Sequence, residues 1–280
     1  MMICFMFPGQ PLTHEARVPA DREFAEISAI TLDRTGLDLA SFTWRDEPAS
    51  TQVALQVYGA AMSLYRNRTM RQEGLKPGIV AEHSMGIYPA LAAVGSLPEA
   101  ESLELTCRVG RALANMGGGR SYALGCVTGL PASPVQALAE NNGVFLANYN
   151  TSRHFLLAGE QHGIEAAMVE ALESGAFSVS TFPADAPLHT PLLEVIEAEL
   201  RAIVADYAFA EPAKPLIEHI GQDFLAAADI PDFLVRELCL PVRWEATYLA
   251  LRKSGVTSFA EAGVGESLKK YNRWIATERG

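Results

Sequence analysis

The sequence predicts an α/β fold in two parts, a larger unit built on a buried sheet and a small inserted unit with a sheet of its own. Three observations carry this reading. An apolar run at residues 3–7 stops at Pro8-Gly9, a strand runs through a sharp turn into a helix around Ser84, and a β-α-β-β-α-β order fills residues 123–182. At 280 residues, 49% hydrophobic and 20% charged, the chain can bury a core that needs no covalent staples.

Taken in order, Ile3 to Phe7 reads as a buried strand with a tight turn after it. From Gln52 to Gln72 the residues Val53, Ala54, Val57, Ala60, Ala61, Leu64 and Tyr65 recur at helical spacing, and Arg66, Arg68 and Arg71 gather at the end where cations suit the helix dipole. Pro77-Gly78 opens a short strand, Ile79-Val80-Ala81, which leads through Glu82-His83-Ser84-Met85-Gly86 into a helix over Ile87–Val94. A further helix over Leu103–Asn115 ends at Gly117-Gly118-Gly119, which reads as a terminator and hinge.

Beyond the hinge come strands at 123–128, 145–148, 155–158 and 178–182, with helices at 134–140 and 163–174, the order of a ferredoxin-like fold. After Pro191 the pattern is helical through Val204, and Ser258–Ala262 resembles a last strand before Gly263-Val264-Gly265.

Charge and cysteine content exclude several function classes. The net charge of -11 is the wrong sign for nonspecific nucleic-acid binding. No stretch reaches the 18 apolar residues of a membrane span, and the apolar start lacks the basic flank of a signal peptide, so neither membrane nor nucleic acid is expected as a partner and the expected compartment is the cytoplasm. Cys4, Cys107, Cys126 and Cys239 have no metal-ligand spacing, so they read as reduced, packed thiols and no metal is expected.

Ser84 is the strongest candidate for chemistry. A serine on a strand-to-helix turn exposes its hydroxyl beside helix N-terminal amides, and Gly86 allows the close approach such a turn needs. Glu82 stands where the GxSxG elbow has its first glycine, so the turn alone leaves an ordinary N-cap serine open. His14, His154, His162 and His219 lie in polar or turn-like stretches and read as surface histidines.

Several separated blocks then resemble, in the same order, the malonyl-CoA:acyl-carrier-protein transacylase family. Phe7-Pro8-Gly9-Gln10 is similar to its FPGQG, His83-Ser84-Met85-Gly86 with Tyr88 to its GHSxGEY, and Ala147-Asn148-Tyr149-Asn150 to its ANYN block. Pro187-Leu188-His189-Thr190-Pro191-Leu192 is similar to PFHSPLM, Pro241-Val242-Arg243-Trp244 to PVRW, and Gly263-Val264-Gly265 to a GPG.

The resemblance implies an α/β-hydrolase-like large domain, residues 1–118 with 187–280, interrupted by the ferredoxin-like subdomain at 119–186, with the site in the cleft between them. It implies an acyltransferase that moves an acyl group, malonyl by preference, from CoA to the phosphopantetheine thiol of an acyl carrier protein, in fatty-acid or polyketide biosynthesis. No cofactor is implied beyond the substrate CoA thioester and the carrier's phosphopantetheine. Ser84 would be the nucleophile and His189 its base, the latter oriented by the backbone carbonyl of Leu240, with the backbone amides of Gln10 and Met85 forming the oxyanion hole. Pro11 replaces a glycine of the family block.

Arg111 is the candidate partner for a malonyl carboxylate, although an ungapped register puts Leu113 at the family's arginine; Leu188, Asn150 and His83 complete the expected substrate contacts. Leu188 and Ile87 stand where malonyl-selective members have phenylalanine and glutamate. An acidic carrier protein is expected to dock on Arg66, Arg68 and Arg71 or on Lys269, Lys270 and Arg273. An acyl-thioester hydrolase, a transferase for another acyl group and an inactive carrier-protein-binding module are the alternatives.

Overall fold

The computed structural model describes residues 2–116 and 119–279. Positions 117 and 118 of the expected hinge, and with them the expected boundary at 118, lie outside the described residues.

The chain opens with β1 (Met2–Phe7), then α1 (Arg22–Thr35), the short β2 (Leu37–Asp38) and β3 (Thr43–Trp44), and α2 (Thr51–Gln72). Helix α1 starts where the Asp21 carboxylate accepts the Phe24 amide at 2.9 Å and stops at Gly36 in the left-handed region, and α2 starts where Ser50 Oγ accepts the Val53 amide. Next come β4 (Ile79–Glu82), a single 3-10 turn over Ser84–Gly86, α3 (Ile87–Ala93) and α4 (Glu99–Met116).

Strands β1 and β4 pair in parallel, and β1 also pairs with the last strand, β10 (Val256–Glu261). The two-residue β9 (Leu216–Ile217) completes a four-stranded parallel sheet in the order β10-β1-β4-β9. Alternation along these strands explains their continuous apolar runs. Phe5, Phe7 and Val80 share one core with α3, α4, α7 (Glu197–Val204) and α8 (Ile230–Arg236), whereas Cys4, Met6, Ile79 and Ala81 face Trp244, Tyr248 and Leu251 of α9 (Trp244–Lys253) and Leu268 and Ile275 of α10 (Ser267–Arg279). A parallel sheet covered on both faces needs apolar side chains at every position.

Helix α2 is buried around almost its whole circumference, packed among α1, α3 and α4. This places it in a helical layer.

The small unit contains β5 (Tyr122–Thr128), α5 (Ala132–Asn141), β6 (Phe145–Thr151), β7 (His154–Glu160), α6 (Gln161–Glu173) and β8 (Ser178–Ala184). Its antiparallel sheet runs β6-β7-β5-β8, the ferredoxin-like order, and its own core of Val127, Val135, Leu157, Ile164 and Ala167 lies under α5 and α6. Edge strand β6 is stitched to the large unit: the Tyr149 amide donates to the Val242 carbonyl and the Val242 amide to the Ala147 carbonyl, both at 2.8 Å. The Ala147–Asn150 and Pro241–Trp244 blocks thus meet each other, and their junction lies beside the end of β4.

Candidate active site

The end of β4 and the turn after it set the site. The His83 amide donates to the Phe7 carbonyl at 3.0 Å, and a side chain on Gly86 would meet that same carbonyl at 2.1 Å, so only glycine lets the turn close against β1. Ser84 is driven to φ 56°, and His189, arriving after the small unit's last strand, sits at φ 59°. Non-glycine residues rarely occupy this region, and strain of this kind concentrates at functional sites.

Ser84 Oγ lies 2.6 Å from His189 Nε2, and His189 Nδ1 lies 2.8 Å from the Glu237 carbonyl oxygen. A carbonyl only accepts, so Nδ1 carries the proton and the Nε2 lone pair is left to accept from the Ser84 hydroxyl. The orienting carbonyl is therefore that of Glu237. Leu240, expected in this role, contributes only a lesser backbone interaction, because the 3-10 turn Glu237–Cys239 turns the Glu237 carbonyl toward the ring first. Burial, with the neighbouring His219 adding to it, pushes the His189 imidazole down to about 3, which keeps it an unprotonated base at neutral pH.

His83 turns away from this pair: its Nε2 meets Asn150 Oδ1 at 2.9 Å, and burial pushes it down to about 4. His83 and Asn150 hold the turn to β6, each supporting the wall of the site. The Pro8-Gly9-Gln10 segment lies against the same turn, since a Cβ on Gly9 would stand 3.5 Å from Ser84 Cβ. The Gln10 and Met85 amides are thus on segments that touch Ser84. Pro11 fits because it packs over Gly59 of α2, where any Cβ would come within 2.5 Å of the proline ring.

A small cavity of about 20 Å³ is lined by Gln10, which follows Gly9 in the chain, by Leu188, which precedes His189, and by Gln52, Gln56, Leu113 and Asp185 among others. Leu188 is among its lining residues. Arg111 is not: its guanidinium stacks 5.5 Å over the Trp44 ring, and Leu113, two residues further along the helix, points to the cavity in its place. A helix turns about 100° per residue, so two positions reach nearly opposite faces. None of the lining residues is basic. Gln10 Nε2 donates to Gln52 Oε1 at 2.6 Å, and Asp185, held by the Ser50 hydroxyl, has its carboxyl pushed up by burial.

Two other expectations change. Arg68 is engaged by Glu23, Glu26 and Glu99, and Arg71, though exposed, bonds Asn67 and the Ala93 carbonyl, which leaves Arg66 of that cluster exposed; on α10 Lys269 pairs with Glu266, and Lys270 and Arg273 are exposed. His219 is fully buried, and His154 bonds Asn150 and Cys126. The buried group of Glu82, His219 and Glu237 behind His189 escaped the sequence reading, though a glutamate closing the apolar run Ile79–Ala81 is a signal that could have found it. His189, His219 and Glu237 bring polar atoms within 4.8 Å of one another, but both ring nitrogens of His189 already have partners, so the group reads as a hydrogen-bonding network and not as a metal centre. Among the described residues no helix is long and apolar enough to cross a membrane.

Residues 32–264 match the model of the acyl transferase domain. The malonyl CoA-acyl carrier protein transacylase of Bacillus subtilis strain 168 is 27% identical over 292 residues, covering 98% of this chain and 92% of that protein. The polyketide biosynthesis protein ThaF of Burkholderia thailandensis is 26% identical over 288 residues, 99% of this chain but 24% of ThaF. Among solved structures, the acyl-carrier-protein S-malonyltransferase of Burkholderia pseudomallei 1710b superposes with a TM-score of 0.85 at 28% identity, covering 98% of this chain and 93% of that one. A malonyl-transacylase solved in complex with a type II polyketide acyl-carrier protein shares the fold, with a TM-score of 0.87 at 22% identity, 99% of this chain and 94% of that one covered.

Proposed function

Since the chain belongs to the acyl transferase domain family, we propose that it moves an acyl group, malonyl by preference, from CoA to the phosphopantetheine thiol of an acyl carrier protein through an acyl-enzyme on Ser84. The observation that carries this is the 2.6 Å bond from Ser84 Oγ to a His189 ring whose other nitrogen is fixed by a carbonyl.

Ser84 gives its proton to Nε2 as Oγ attacks the thioester carbonyl carbon. The oxyanion forms against the Gln10 and Met85 amides, then collapses, expelling CoA sulfur, which takes the proton back from His189. In the second half the carrier thiol gives its proton to His189, attacks the acyl carbon, and releases Ser84 Oγ, which is reprotonated. No bound cofactor enters either half. Malonyl is supported by the names of the relatives, and a cytoplasmic setting suits four free thiols, three of them buried.

One observation favours a second reading, a transferase or thioester hydrolase for an uncharged acyl group. The cavity offers amide side chains and one carboxyl, and burying a malonyl carboxylate without a cation is costly. Incubation with malonyl-, acetyl- and longer acyl-CoA, followed by intact-protein mass with and without a carrier protein, tests both. Malonyl that loads and leaves to the carrier thiol supports the first reading, and loading confined to uncharged groups supports the second.

A further inference from the structure

Glu82 ends β4, and His219 lies two residues beyond the end of the adjacent parallel strand β9, because β4 and β9 pair Val80 with Leu216 and Ala81 with Ile217. Glu82 closes on His219 completely: its carboxyl oxygens lie 2.8 and 2.7 Å from Nδ1, and Oε1 also accepts the His219 amide at 3.0 Å. On the far side of the ring, Nε2 faces Glu237 Oε2 at 3.8 Å, and that oxygen lies 3.7 Å from His189 Nδ1. Glu82, His219 and Glu237 are at most 0% exposed, and His219 Nε2 and both Glu237 oxygens have no other partner.

The Glu82 side of the ring is a hydrogen bond and the 3.8 Å Glu237 side a charge contact that a shift of about 1 Å would turn into one, and satisfying the buried atoms on each side needs one proton. Two protons shared by the three groups leave a net charge of one negative unit, whether they sit as carboxylate, imidazolium and carboxylate or with one carboxyl protonated. Burial pushes both carboxyls well above the ordinary range, with the Glu218 charge adding to it at Glu82 and the Glu82 charge adding to it at Glu237. The groups facing His189 from all the elements around it are His83, Glu82, His219 with Glu218, Glu237, and Tyr88 beyond Glu237.

We propose that Glu82, His219 and Glu237 form a proton-sharing row that holds one negative charge behind His189 and stabilises its imidazolium during each proton transfer. Glu82, His219 and Glu237 are positioning residues that act through the His189 ring, in the place where other serine nucleophiles use a carboxylate bonded directly to the histidine. The proposal rests on reading Ser84 and His189 as nucleophile and base.

Because either carboxyl can carry the charge, removing one differs from removing both. In single-turnover acylation by malonyl-CoA or the best-loading acyl-CoA, Glu82→Gln and Glu237→Gln each slow the reaction by about threefold, while the double variant falls at least about thirtyfold, more than the two losses multiplied, with an unchanged apparent KM for the acyl-CoA. With Ser84 phosphonylated by a fluorophosphonate, the His189 ring followed by NMR titrates about one pH unit lower in the double variant than in the wild type. Should the double variant fail to fold, Glu82→Gln with His219→Asn makes the same test, since a lone buried Glu237 takes up a proton. Single variants as slow as the double, or a double variant with unchanged rate and unchanged titration, overturn the row. Wild-type protein that neither loads nor reacts with the fluorophosphonate overturns the Ser84 reading instead.

Discussion

Ser84 and His189, 105 positions apart in the chain, both hold a left-handed backbone and meet through a 2.6 Å hydrogen bond. Each pays a conformational cost that glycine would not, so Ser84→Gly should be more stable than Ser84→Ala by about 1 kcal/mol, both being unable to form an acyl-enzyme. Urea unfolding of the two variants checks this, and equal stabilities would remove strain from the account.

The position of Arg111 makes a prediction against the sequence expectation. Arg111 sits on Trp44 outside the cavity lining, so Arg111→Ala should leave the ratio of malonyl to acetyl loading within about threefold and cost about 0.5–1 kcal/mol of stability through the lost ring contact. A collapse of malonyl loading alone would put the guanidinium in the site.

Asp185 supplies the pH dependence. Its carboxyl is raised by burial, the Ser50 hydroxyl opposing this, and in its ionised form it repels a second carboxylate in the same cavity. Asp185→Asn should therefore raise the malonyl-to-acetyl ratio several-fold at neutral pH. The advantage over the wild type should shrink as pH falls through the raised Asp185 range, because the wild-type group then loses its charge too. A pH-independent advantage would point to shape and not to charge.

Carrier-protein docking is expected at the end of the molecule carrying Lys270 and Arg273. Charge reversal at both should raise the apparent KM for the carrier protein and leave acylation by acyl-CoA unchanged. Arg68→Ala should instead lower the unfolding midpoint, since that guanidinium holds Glu23, Glu26 and Glu99 together. An Arg68 effect confined to carrier-protein KM would reverse the assignment.

What was legible in the sequence was what is local. Ser84 and His189 sit in short blocks whose neighbours dictate the turn, and β1, β4 and the small sheet announce themselves as apolar or alternating runs. Strand β9 has two residues and shows no period, so nothing marked His219 as lying just beyond a sheet strand. With it went the link to Glu82, which looked like a defect in the elbow motif and is a bonded part of the site. Arg111 lies off the cavity for the opposite reason: the helix was evident, but which face it turns to the cavity depends on its packing against α2.

The central claim is tested most directly by the intact mass of the protein after brief exposure to malonyl-CoA, and again after adding a carrier protein bearing phosphopantetheine. The account predicts that one malonyl group appears on the wild type and leaves to the carrier thiol, that Ser84→Ala gains nothing, and that His189→Ala loads more slowly by several orders of magnitude. Ser84→Ala protein that still gains the acyl group would contradict it.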